Sequence, residues 1–191
     1  MIAEHDVRQR STRALAGLRG GAERPYIGEP VSQLEHALQC AALAQAAGAP
    51  DAEVLAALFH DIGHLVAPED AADMDGLGII DHERIGAAWL EALGFGPTVS
   101  ALVGAHVEAK RYLALRKAGY YARLSDASRG TLAFQGGPMA TDEAARFEDD
   151  PLFASKIRLR TWDEAAKVAG RVVPDLDTYA VPIRRFLEQG R

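Results

Sequence analysis

Five of the six histidines in this 191-residue chain form one ordered series, His36, His60, His64, His82 and His106. Steps of 24, 22 and 24 residues separate His36, His60, His82 and His106, and Asp61 directly follows His60. Imidazole is the commonest metal ligand near neutral pH, and an adjacent carboxylate adds an oxygen donor able to serve two ions. Leu55-Ala56-Ala57-Leu58-Phe59 leads into the His-Asp pair and Ile62-Gly63 follows it, an apolar setting in which a charge is costly without a cation. The pattern predicts a metal centre. Cys40 is the single cysteine, which excludes a thiolate zinc cluster and an internal disulfide, so imidazole and carboxylate must hold the metal. Cys40 itself, four residues after His36, reads as core packing.

Donors so far apart in the chain converge only if regular elements carry them. Apolar residues recur at helical spacing from Val31 to Gly48, where Pro30 suits a first turn and Gly48 a stop. A second helix starts near Pro50-Asp51 and carries His60, Asp61 and His64, whose spacing puts all three on one wall of a cavity. Asp81 suits the N-cap of a third helix closed by Gly94, and Pro97 starts a fourth that runs towards His106 and continues over 107–117. Further helices are expected at 120–128, 141–148, 151–158, 162–171 and 175–188, the last interrupted by Pro182. The interval from Ser125 to Met139 reads as a loop whose backbone N–H groups face an anion. Alternating strand patterns are missing, so the fold class is all-α, with helices of similar length returning ligands to one level of a bundle.

The chain is long enough for one core and has no linker-like stretch, so 1–191 is treated as one domain. The net charge of -6, with scattered basic residues, argues against nucleic acid or an anionic membrane as partner and for a small substrate. Charges in the first eight residues and the lack of a long apolar run predict a cytoplasmic protein. Oligomeric state is not legible, and His5 is assigned no role.

His36 in Gln33-Leu34-Glu35-His36-Ala37, the run Ala57-Leu58-Phe59-His60-Asp61-Ile62-Gly63-His64 and Asp163 in Thr161-Trp162-Asp163-Glu164-Ala165-Ala166-Lys167 resemble the HD-domain superfamily. With His82 and His106 added, the chain is most similar to its mixed-valent di-iron oxygenases, related to myo-inositol oxygenase, and among these to the small phosphonate-degrading ones. The likeness runs from Tyr26-Ile27-Gly28-Glu29 through Ala105-His106-Val107-Glu108-Ala109-Lys110 to Arg160-Thr161-Trp162-Asp163. It implies an HD-domain helical bundle in which His36, His60, Asp61 and Asp163 hold one iron. Asp61, His82 and His106 hold the other, with Asp61 bridging ions about 3.5–4 Å apart. The donors alone accept manganese, zinc or nickel equally; two irons, Fe(II)/Fe(III), and O2 as co-substrate come from the resemblance. Asp126 competes with Asp163 as the distant aspartate, and the Trp162-Asp163-x-Ala-Ala-Lys setting favours Asp163.

The same resemblance gives roles to residues that have ordinary explanations too. His64 caps a helix end or binds substrate. Lys110, at i+4 from His106, is a solvated charge or a phosphonate ligand. Tyr26 and Glu29 pack before the first ligand helix or form a lid, the glutamate reaching the nitrogen end of the substrate. Ser128, Thr131 and Gln135 are further candidate phosphonate contacts that turn chemistry also explains. The implied reaction is oxygen-dependent cleavage of the carbon-phosphorus bond of a zwitterionic 1-hydroxy-2-(amino or trimethylammonio)ethylphosphonate, giving phosphate and glycine or glycine betaine. The rival is a metal-dependent phosphohydrolase acting on a nucleotide or small phosphate ester with the same donors.

Overall fold

A computed structural model describes residues 4–190. Those residues form twelve α-helices, one 3-10 turn and no strand: α1 Glu4–Arg19, α2 Gln33–Ala46, α3 Asp51–Phe59, α4 Gly63–Val66, α5 His82–Ala92, α6 Gly96–Gly104, α7 His106–Arg116, α8 Tyr120–Arg123, α9 Asp126–Phe134, α10 Thr141–Glu148, α11 Phe153–Ala165, the 3-10 turn Leu176–Tyr179 and α12 Ala180–Gln189. None is long and apolar enough to cross a membrane. The all-α expectation holds.

α2 and α3 pack on each other and on α11, α3 also packs on α6, and α6 on α5. Between them lies the main core, with Leu55, Leu58, Phe59, Phe95, Leu102, Val103 and Leu159 all withdrawn from water. Burying side chains of this size stabilises by about 1.5–3 kcal/mol each. α1 closes one flank against α12, burying Val7, Ser11, Ala14, Leu15 and Leu18. These recur at helical spacing, a signal that the polar N-terminal segment masked in the sequence.

Local chemistry sets the ends of the ligand helices. Ser32 caps α2 by a reciprocal capping box: its Oγ accepts from the Glu35 N–H at 3.1 Å and its own N–H donates to Glu35 Oε2 at 2.6 Å. The helix therefore starts after Pro30 and Val31. α3 ends at Phe59, and His60 to Ile62 form a tightened turn before α4, with i to i+3 bonds from the Ile62, His64 and Leu65 N–H groups. His60, Asp61 and His64 thus share no continuous helix.

The helix expected over 120–128 ends at Arg123, and further details differ from expectation. Asp81 precedes α5 with φ 57°, and its side chain caps nothing. His106 opens α7 instead of closing α6. The predicted helices 151–158 and 162–171 are one helix ending at Ala165, beyond which α2 captures the backbone through Gln39. Pro182 sits in the first turn of α12, where a missing N–H breaks no helix bond. The largest departure is Ser125 to Met139: it holds α9, capped by the Ser125 hydroxyl accepting from the Ser128 N–H at 3.2 Å, with only the turn after Phe134 irregular.

Candidate metal centre

The four imidazoles come from four helix ends or faces: His36 within α2, His60 just past α3, and His82 and His106 as the first residues of α5 and α7. All four are buried. In each ring Nδ1 faces a backbone carbonyl, Ala166 for His36 at 2.9 Å, Ala57 for His60 at 2.9 Å, Ile79 for His82 at 3.2 Å and Val103 for His106 at 2.7 Å. A carbonyl oxygen only accepts, so Nδ1 carries the hydrogen and Nε2 presents a lone pair.

Those lone pairs point at one another. His36 Nε2 and His60 Nε2 are 3.0 Å apart, as are His82 Nε2 and His106 Nε2. Asp61 stands between the two pairs. Its Oδ2 lies 3.5 Å from His36 Nε2 and 3.2 Å from His60 Nε2, and its Oδ1 3.4 Å from His82 Nε2 and 3.3 Å from His106 Nε2. Asp163 Oδ1 adds to the first set at 3.4 Å from His36 Nε2. Asp61 Oδ2 and Asp163 Oδ1 are buried without a hydrogen-bond donor. Four acceptor nitrogens and two carboxylates facing each other are mutually repulsive unless cations lie between them. Donors cluster as His36, His60 and Asp163, and as Asp61, His82 and His106, each set compact enough for one ion. The residues fit a two-metal centre, and a carbonyl-oriented ring is how proteins fix a metal-binding imidazole.

One close approach makes the cluster possible. A Cβ on Gly63 would stand 1.9 Å from the His82 carbonyl oxygen, so only glycine lets the start of α4 touch the start of α5. That contact brings Asp61 beside His82.

Arg160 is buried, pairs with Asp163 Oδ2, and donates from Nε to the Tyr120 hydroxyl at 3.1 Å and to Glu164 at 2.9 Å. Burial alone raises the Asp163 pKa; the Arg160 guanidinium overrides it and holds the carboxyl well below the usual range. Asp126, the competing aspartate, is almost wholly exposed and pairs with Arg129, whereas Asp163 is 1% exposed.

Beside the donors opens a cavity of about 80 Å³, lined by Tyr26, Glu29, Asp61, His64, His82, His106, Lys110, Ser128, Thr131, Gln135, Arg160 and Asp163 among others. It has room for several waters and opens to solvent. Tyr26 stacks on His36 with ring centroids 4.0 Å apart. Burial, with the charges of Asp61 and Asp163, pushes its phenol well above the ordinary value. His64 stacks on His82 at 3.9 Å, and its Nδ1 accepts from the Ile79 N–H at 3.1 Å, which leaves Nε2–H as a donor. Burial, reinforced by His82, lowers His64 to about 3, so the ring is neutral.

Lys110 donates to Thr131 Oγ1 at 2.9 Å, and burial followed by the Arg160 charge lowers its pKa to about 7. Ser128, Thr131 and Gln135 project from one side of α9 at spacings of three and four residues. The expected loop of anion-facing backbone N–H groups is therefore replaced by a helix face of side chains. Gln33 and Gln135 each carry a buried amide oxygen without a donor. Glu29 pairs with Lys167 at 3.0 Å, a partner that sequence reasoning missed because a lysine after a helix end looks like a surface charge.

Residues 34–143 match the HD domain family. The chain is 41% identical over 171 residues to an uncharacterised protein of Acanthamoeba polyphaga mimivirus, covering 89% of this chain and 77% of that one. It is 40% identical over 171 residues to a [1-hydroxy-2-(trimethylamino)ethyl]phosphonate dioxygenase (glycine-betaine-forming) of Leisingera caerulea, covering 90% and 86%. It is 42% identical over 164 residues to a hydroxymethylphosphonate dioxygenase of Gimesia maris, covering 85% and 81%.

Proposed function

This chain belongs to the HD domain family, and from that premise we propose that it is a phosphonate oxygenase acting at a two-iron centre. It cleaves the carbon-phosphorus bond of a 1-hydroxyphosphonate with O2; the substrates proposed are 1-hydroxy-2-(amino or trimethylammonio)ethylphosphonates, giving phosphate and glycine or glycine betaine. The names of two relatives support the reaction class. The observation that carries the reading is Asp61, each of whose oxygens faces its own pair of histidine nitrogens, as a carboxylate bridging two ions requires. Asp163, supplied by α11 from beyond the matched residues 34–143, completes the first set, so the proposed site extends past that span.

His36, His60 and Asp163 with one oxygen of Asp61 would hold one iron, and His82, His106 and the other oxygen the second. When bound, a ferrous-ferric pair supplies the redox chemistry that activates O2. The protein's own groups bind and orient. Lys110 and Thr131 pair with phosphonate oxygens, His64 Nε2–H donates to the substrate, and Tyr26 shields the donors from water. The atoms balance without an external electron donor: R–CH(OH)–PO3H2 and O2 give RCOOH and H3PO4. The C1–H and C1–P bonds break as C1 is oxidised to the carboxyl level and both oxygen atoms enter the products.

The test is to load purified protein with iron, supply 2-amino-1-hydroxyethylphosphonate or its N-trimethyl analogue, and follow phosphate and oxygen together. One phosphate per O2 consumed is expected, with none under nitrogen. Phosphate release from esters without oxygen would put a hydrolase in its place.

A further inference from the structure

Lys167 lies on a backbone that α2 holds on both sides. The Ala166 carbonyl accepts from His36 Nδ1 at 2.9 Å, and Val168 exchanges two hydrogen bonds with the Gln39 amide, at 2.9 and 3.1 Å. From this fixed stem Nζ donates to Glu29 Oε1 at 3.0 Å and to Ser128 Oγ at 3.2 Å, and stands 5.5 Å from the centroid of the Tyr26 ring. The pair is largely shielded from water, Lys167 being 14% exposed and Glu29 11%. A carboxylate, a hydroxyl and an aromatic face around one cation are the groups that recognise an alkylammonium ligand. Here the protein's own ammonium fills that place, while Glu29, Ser128 and Tyr26 also line the substrate cavity.

We propose that Lys167 is a resident counter-ion to the Glu29 carboxylate at the cavity wall, and that it sets the preference between 1-hydroxyphosphonates with and without an ammonium group. The proposal rests on the phosphonate reading above. A substrate ammonium must displace Lys167 or share Glu29 with it, and two like charges at one carboxylate repel. Hydroxymethylphosphonate leaves the pair intact, and the lysine then adds its field to those of Lys110 and Arg160 around the phosphonate. Without Lys167 the logic inverts: a shielded Glu29 lacking a cation repels an anion, and a substrate ammonium relieves it.

The experiment measures dissociation constants of 2-amino-1-hydroxyethylphosphonate and hydroxymethylphosphonate for the iron-loaded protein without oxygen, so that binding is read apart from turnover. Lys167→Met is expected to shift the ratio of the two constants at least tenfold towards the ammonium compound. Lys167→Arg, which keeps the cation, is expected to stay near the wild-type ratio, and iron content checks that each variant is folded. An unchanged ratio in Lys167→Met, or no binding of either compound to the wild type, overturns the proposal. If the ratio shifts as expected but no oxygen-dependent phosphate release follows on admitting air, Lys167 keeps its role and the oxygenase reading falls.

Discussion

At the scale of single residues, the centre is a set of hydrogen-bond acceptors held face to face by their own backbone contacts. Because His82 Nδ1 is committed to the Ile79 carbonyl, His82→Ala removes one lone pair from the second set and leaves the first intact. Iron-loaded His82→Ala should therefore bind one metal equivalent instead of two by elemental analysis, with oxygen-dependent phosphate release lost; two equivalents would contradict the assignment. Lys110 carries a pH signature. Its proton is lost as pH rises through about 7, and only the ammonium pairs with a phosphonate oxygen, so kcat/KM should fall across that range. Lys110→Arg, protonated throughout, should lack this limb, and a fall that persists in it must come from another group. The four histidines and Asp61 were legible as a donor cluster because histidines so spaced in apolar sequence have few other uses, whereas Asp163 came only from the resemblance to HD-domain proteins. Lys167 shows no role in sequence because its carboxylate partner, Glu29, is 138 residues away. Arg160 shows none because its i+3 and i+4 carboxylates, Asp163 and Glu164, read as an ordinary solvent-facing helix pairing until its burial is known.

At the scale of elements, the sequence marked helices best where an apolar stripe met a clear stop, as in α2 ahead of Gly48. It failed at α9, which buries only Leu132 and carries Gly130 in mid-helix. A Cβ there would come within 2.7 Å of Leu77 Cδ1, a side-chain end that can swing aside, on the loop that helps wall the cavity. Gly63 is the sharper case, since α4 and α5 meet only where its side chain is missing. Gly63→Ala should cost about 3 kcal/mol in chemical denaturation, the upper end for overpacking, and should weaken metal binding at His82 and His106. Gly104→Ala is the control, a helical glycine whose added Cβ meets Ala87 at an ordinary 3.5 Å; it should be neutral or stabilise by about 0.5–1 kcal/mol. Equal behaviour of the two variants would show that the close approach does not set the α4–α5 geometry.

At the scale of the whole molecule, the donors tie together helices that the chain visits far apart, from α2 to α11, at the expense of leaving six acceptor side chains clustered at the heart of the bundle. Metal bound only by the folded state stabilises it by RT ln(1 + [L]/Kd) per site, about 2.7 kcal/mol at a hundredfold excess over Kd and so about 5.4 kcal/mol for two sites. For a chain of this length each kcal/mol moves the thermal midpoint by about 2–4 °C, so iron at that excess in both sites should raise Tm by about 10–20 °C over chelator-treated protein. The His36→Ala and His82→Ala double variant, which weakens both sets, should lose most of that response. The hydrophobic core around Phe59 and Leu102 should still fold, because its burial does not depend on the ions. Identical melting with and without iron in the wild type would mean that the clustered acceptors find relief without a cation, and the metal assignment would then have no energetic basis.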